Sequence, residues 1–156
     1  MVMERDDAIE KLGDLLKLDV DAARAYDEAI EKIDEEDIRM QLGKYRDDHH
    51  RHVSEITTLI RGMGGEPPEP DPDMKGKLIE GMTSLRSSMG TDSALKAMRM
   101  NEQLTNRTYE NAMEWEVSTE AHAFIRRGYE DERKHLAYIE QALAVGVGGT
   151  RARSEY

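Results

Sequence analysis

The chain has 156 residues, no cysteine, 35% charged residues and a formal net charge of −11. That length suits one domain with a single core, and without cysteine any bound metal must be held by oxygen and imidazole nitrogen. The acidic balance argues against nucleic acid as a partner. No apolar run approaches the roughly 18 residues of a membrane span and no signal-type leader opens the chain, so a soluble, cytoplasmic protein is expected.

In chain order, a first helix is predicted over residues 6–34, entered through Asp6 and Asp7, whose charge suits a helix N-terminus. Its inner stripe reads Leu12, Leu15, Asp19, Ala22, Tyr26, Ala29, Ile33. Acidic residues 34–37 form a tight connection into a second helix over 37–61, with the stripe Leu42, Tyr45, His49, His52, Ile56, Leu59. Gly62-Met63-Gly64-Gly65 ends it, and Pro67, Pro68, Pro70 and Pro72 forbid resumption. Residues 62–91 then form a long crossover with a short amphipathic helix from Met74 to Met89. The apolar face of that helix covers either the bundle or a second copy, so a homodimer is expected.

A third helix is predicted over 92–116, capped from Thr91-Asp92-Ser93, with the stripe Leu95, Met98, Glu102, Thr105, Tyr109, Ala112. A fourth, over 119–145, starts at Ser118-Thr119 and carries Ile125, Gly128, Glu132, His135, Ile139, Ala142. Residues 147–156 lack periodicity and read as a loose tail, leaving a single domain over 1–146. The ten methionines mostly take core-like positions and are read as packing.

The two halves repeat. An ungapped shift of 83 positions pairs Asp19 with Glu102, Tyr26 with Tyr109, His52 with His135, Leu42 with Ile125 and Ile56 with Ile139. The fold class that follows is all-α: a four-helix bundle built from two duplicated helical hairpins. Joining hairpins by a long connection gives a bundle with a crossover, the ferritin-like topology, rather than an up-down meander.

Each stripe is interrupted by ligand-type side chains at one depth: Asp19 on the first helix, His49 and His52 on the second, Glu102 on the third, Glu132 and His135 on the fourth. A Glu-x-x-His pair puts both groups on one inward face, on adjacent turns. A buried carboxylate needs a proton, an ion pair or a metal, and no lysine or arginine lies on these stripes. Metal binding is therefore the expectation, with a buried polar network that fixes register as the alternative. His50 and His122 lie off the stripes and read as solvated. Tyr26 and Tyr109 read as core residues with satisfied hydroxyls, or else as groups lining the site.

The spacing Glu102-x6-Tyr109 followed by Glu132-x-x-His135 resembles one half-site of the ferritin-like superfamily that includes bacterioferritin and rubrerythrin. Asp19-x6-Tyr26 followed by His49-x-x-His52 resembles the other half in altered form. Residues 48–53 (Asp48-His49-His50-Arg51-His52-Val53) and 90–98 are similar to a bacterial ferritin-like family of unknown function. The resemblance implies two irons, with Glu132 bridging, Asp19 and Glu102 as terminal ligands, and His52 and His135 on one metal each. Asp48 and Asp131 would then orient the opposite histidines.

His49 stands where the superfamily has its second bridging carboxylate. Less negative charge and more nitrogen suit zinc, manganese, nickel or cobalt better, and are compatible with a single metal or an unequal pair. Two functions are carried forward. One is an iron-dependent oxidoreductase, a ferroxidase or a peroxide-reactive protein. The other is a non-enzymatic metal-binding or stress-associated helical bundle.

Overall fold

A computed structural model describes residues 3–69 and 85–146. Its long elements are four α-helices: α1 Arg5–Lys32, α2 Glu36–Gly62, α3 Thr91–Ala112 and α4 Thr119–Ala144. Each is amphipathic, and the residues that repeat at steps of three and four are the buried ones. Among the described residues the chain is thus an all-α four-helix bundle. No helix among them is long and apolar enough to cross a membrane.

The end contacts fix the topology. Met3 at the head of α1 donates its backbone N–H to Glu116, just past the end of α3. At the other end, Lys32 reaches the Arg86 carbonyl and the Thr91 hydroxyl donates to Glu35. The first and third helices therefore run antiparallel, while the second and third both start from the Glu35–Thr91 end. The end of α2 and the start of α3 thus lie at opposite ends of the bundle, about 40 Å apart for a helix of this length, as the expected crossover connection requires. The short helix expected over Met74–Met89 falls largely on residues 70–84, outside the described residues, as does the tail from 147. Of that stretch, Leu85 is buried in the core and Met89 is exposed.

Local chemistry sets most helix ends. α2 closes where Gly64, at φ 84°, donates to Arg61 and Gly65 donates to Ile60. This double closure needs a left-handed residue, hence glycine. Ser118 caps α4 by accepting from the Ala121 N–H. Three sequence-based expectations need correcting. The Thr91-Asp92-Ser93 side chains do not cap α3, whose N-cap is Gly90. Thr91 binds Glu35 instead, and Ser93 turns back to Met89. α3 also ends at Ala112 and not near 116, because Met113, Glu114 and Trp115 wind into tight turns that carry Trp115 against the core. Finally, the packing role expected of the methionines holds only in part: Met98 is buried and Met63 and Met113 pack against the core, but Met40, Met89 and Met100 are exposed.

The core is divided. One apolar cluster gathers Leu12, Leu15, Leu16, Ile56, Ile60, Phe124 and Ile125, with Tyr109 at its inner edge. The other gathers Ile33, Ile38, Leu42, Leu95, Met98 and Ile139, with Tyr26 at its inner edge. Between them lies a polar layer to which all four helices contribute.

Candidate metal centre

All six side chains singled out by the stripes meet in that layer. Asp19, His49, His52, Glu102, Glu132 and His135 are each at most 1% exposed. They fall into two overlapping groups, Asp19–His49–His52–Glu132 and His49–Glu102–Glu132–His135. Within each group the ligand-type atoms lie within 4.8 Å of one another. Helical spacing accounts for each pair on one helix, and the antiparallel packing of the hairpins brings the pairs to one depth.

The surrounding hydrogen bonds obey the internal repeat. Tyr26 donates to Glu102 Oε2 at 2.6 Å, and its counterpart Tyr109 donates to Asp19 Oδ2 at 2.5 Å. His52 Nε2 donates to Asp131 at 2.9 Å, and His135 Nε2 donates to Asp48 at 2.8 Å. Every one of these bonds crosses from one hairpin to the other and maps onto its mate when positions shift by 83. The arrangement has pseudo-twofold symmetry about the polar layer. Tyr26 and Tyr109 are thus core residues with satisfied hydroxyls, and the groups that satisfy them are the site's own carboxylates.

The symmetry breaks at His49. Its Nδ1 donates to Asp19 Oδ1 at 2.7 Å, and His52 Nδ1 contacts the same oxygen at 3.0 Å. On the other side, His49 Nε2 lies 3.5 Å from Glu102 Oε2 and 3.7 Å from Glu132 Oε1. His135 Nδ1 lies 3.4 Å and 3.8 Å from the same two oxygens. Among the described residues, four buried polar side-chain atoms have no hydrogen-bond partner: His49 Nε2, His135 Nδ1 and both oxygens of Glu132. Leaving such atoms unsatisfied costs about 1–3 kcal/mol each, more for a charged group. A cation among them would pair with His49 Nε2, His135 Nδ1 and the Glu132 carboxylate at once. The donor set therefore fits a metal ion.

Charge in this layer is set by competition between burial and pairing. Burial pushes the Glu132 carboxyl up to about 8, only partly offset by His49 and His135. For Glu102 burial is outweighed by His135 and His49, which hold it well below the usual carboxylate range. Asp19 is likewise held low, because hydrogen bonds from His49 and His52 overcome its burial. Burial disfavours the imidazolium of His52 and His135, yet their carboxylate partners raise both to about 9. Without a metal, protons bind here tightly.

Other positions were not marked by the stripes. The Asn106 side chain donates to the backbone carbonyls of Glu102 and Glu132 at 2.7 and 3.0 Å, tying α3 to α4 at the level of the site. It lies beside the stripe and its mate in the repeat is Ala23, so no pattern marked it. Arg51 pairs with Asp131 and, at 3.3 Å, with Asp48, bracing both histidine-orienting aspartates from outside. Thr105, which does lie on the α3 stripe, donates to Glu102 Oε1 at 2.9 Å. His50 is exposed, as expected. His122 is not free in solvent: it is half-buried, with Nε2 at 3.2 Å from the Met113 carbonyl.

Fold and site together define a class: an all-α bundle with a buried carboxylate–histidine cluster able to hold a metal ion. The chain belongs to the family described as a domain of unknown function, DUF2383, which matches residues 7–115. That span takes in α1 to α3, with Asp19, His49, His52 and Glu102, and stops before Glu132 and His135. No curated protein matches the chain.

Proposed function

We propose that this protein binds a metal ion within its core and that its architecture is ferritin-like, with Asp19, His49, His52, Glu102, Glu132 and His135 forming the centre. The observation that carries this reading is the group of unpartnered buried atoms, His49 Nε2, His135 Nδ1 and both Glu132 oxygens, facing one another across the bundle. A polar network that served only to fix register would close on itself with hydrogen bonds, as the Asp19 side chain does. Asp48 and Asp131 each accept from a ring nitrogen, the role that orients a ligating imidazole and fixes its tautomer.

Iron is the cation to which the resemblance points, and an oxidoreductase reacting with dioxygen or peroxide is the activity it suggests. Bound iron would supply the electrons; the chain would hold it dry and orient its ligands. The substitution of His49 for a carboxylate favours a second reading, a non-enzymatic metal-binding protein, because a nitrogen-richer and less anionic site stabilises ferric iron less well. Elemental analysis of protein purified without chelator, followed by anaerobic ferrous loading and exposure to air, separates the two. Ferric absorbance with repeated turnover supports the oxidoreductase. Metal retained without turnover supports the second reading, and no metal under any condition removes both.

A further inference from the structure

We infer that the centre holds one four-coordinate divalent cation, on His49 Nε2, Glu102 Oε2, Glu132 Oε1 and His135 Nδ1, while Asp19 and His52 position these ligands instead of binding a second ion. The inference rests on the metal-binding reading above, and it departs from the paired irons that the resemblance implies.

Separations between ligand atoms distinguish the two halves of the layer. Metal–nitrogen and metal–oxygen bonds of about 2.0–2.2 Å set the edges of a tetrahedron at about 3.3–3.6 Å. The four cross-distances among the named atoms run 3.4, 3.5, 3.7 and 3.8 Å. These are too long for hydrogen bonds and close to tetrahedral edges. Three of the four atoms lack any other partner. The fourth, Glu102 Oε2, accepts from Tyr26 and keeps a second lone pair.

In the Asp19 half the Asp19 and His52 side chains are taken up by hydrogen bonds, and the unpartnered atom there is Glu132 Oε2, 3.5 Å from His52 Nδ1. Asp19 Oδ1 lies 2.7 and 3.0 Å from His49 Nδ1 and His52 Nδ1, and its Oδ2 takes the Tyr109 hydroxyl. His52 has a carboxylate oxygen at each ring nitrogen, Asp19 at one and Asp131 at the other. Neither residue turns an unpartnered atom toward a second cation. Asp19 instead fixes the tautomer of His49, placing the hydrogen on Nδ1 and aiming the Nε2 lone pair at Glu102 and Glu132. Asp48 does the same for His135 from the opposite nitrogen. His49 is thereby a terminal ligand in place of a bridge, and this is how an imidazole can stand where a bridging carboxylate is expected. Two carboxylates and two neutral imidazoles balance one divalent charge, while His52, hydrogen-bonded to a carboxylate at each ring nitrogen, balances Asp19. Zinc and cobalt(II) accept this donor set and geometry.

The test uses the full chain, stripped with chelator and titrated separately with zinc and with cobalt(II). The expected result is one equivalent per chain by calorimetry and elemental analysis, with the intense visible bands of four-coordinate cobalt. Asp19→Asn and His52→Gln should each still bind one equivalent and keep those bands, with affinity about 10–100-fold weaker, as for loss of a residue that orients a ligand. Glu102→Gln should lose the bands. Two equivalents in the wild type would overturn the single-ion assignment and leave metal binding standing. So would an Asp19→Asn variant that loses the bands as Glu102→Gln does. No zinc or cobalt bound to the wild type would overturn both.

Discussion

Glu132 is the residue on which the polar layer turns. It is fully buried, neither of its oxygens has a hydrogen-bond partner, and burial pushes its carboxyl up to about 8. Charge at this position is therefore unfavourable until a cation arrives. Glu132→Gln should leave the chelator-treated protein as stable as the wild type or more so, since a neutral isostere no longer needs a proton. The same change should weaken zinc binding by more than about 100-fold, beyond what loss of an orienting residue costs. Melting curves with and without zinc check both halves, and an equal loss of stability in each condition would contradict the argument. The histidines make a related prediction about pH. His52 and His135 are raised from 6.5 to about 9 in the fold, so their contribution to stability is full below about 6.5 and lost as pH rises through about 9. Glu132, raised from 4.5 to about 8, acts in the same direction. Asp19 and Asp131, held low, contribute above the ordinary carboxylate range and lose that contribution as pH falls through their depressed values. The metal-free protein should thus lose melting temperature between about 6.5 and about 9. Saturating zinc should flatten that decline, because the cation takes the place of the protons.

Among the elements, α4 shows what the close approach of helices demands. A Cβ at Gly128 would lie 2.5 Å from Cε1 of Tyr109, the ring whose hydroxyl reaches Asp19. The mate of Gly128 in the repeat is Tyr45, which packs its ring against His135 at 4.3 Å between centroids. One half-site is therefore covered by an aromatic ring. The other opens onto a cleft of about 390 Å³ lined by Arg51, His52, Phe124, Gly128 and Asp131 among others. Gly128→Ala gains about 1 kcal/mol in helix propensity. Overpacking against a buried ring costs about 1–3 kcal/mol, and the displaced tyrosine also loses its hydrogen bond to Asp19. A net loss of about 1–3 kcal/mol is expected, read as a lower urea midpoint at unchanged slope. An unchanged midpoint would mean that Tyr109 moves aside freely.

For the whole molecule, two hairpins close over one polar layer between two apolar clusters. Ligand atoms come from both hairpins, His49 from the first and Glu102, Glu132 and His135 from the second, so a bound cation ties the hairpins together and binds the folded chain alone. Ligand at a hundred times its dissociation constant adds about 2.7 kcal/mol to stability. Chelation should accordingly lower the melting temperature of protein purified with its metal, and stoichiometric zinc should restore it. Calorimetry of the same sample before and after chelation is the measurement, and identical transitions would mean that no ion had linked the halves.

The stripes, the stop at Gly62-Met63-Gly64-Gly65 and the shift of 83 were all legible in the linear chain, because helical spacing decides which residues share a face before any partner helix is known. The same spacing put Asp19, His49, His52, Glu102, Glu132 and His135 on inward faces at matching depth. Contacts between residues far apart in the chain were another matter. Tyr26 reaching Glu102, Tyr109 reaching Asp19, and Asn106 joining two backbones depend on how the hairpins cross. The end of α3 at Ala112 depended on where Trp115 could be packed. Which nitrogen of His49 remains free was likewise decided in three dimensions. An imidazole has two equivalent-looking nitrogens in a sequence, and only a carboxylate placed 2.7 Å from one of them leaves the other to face a cation.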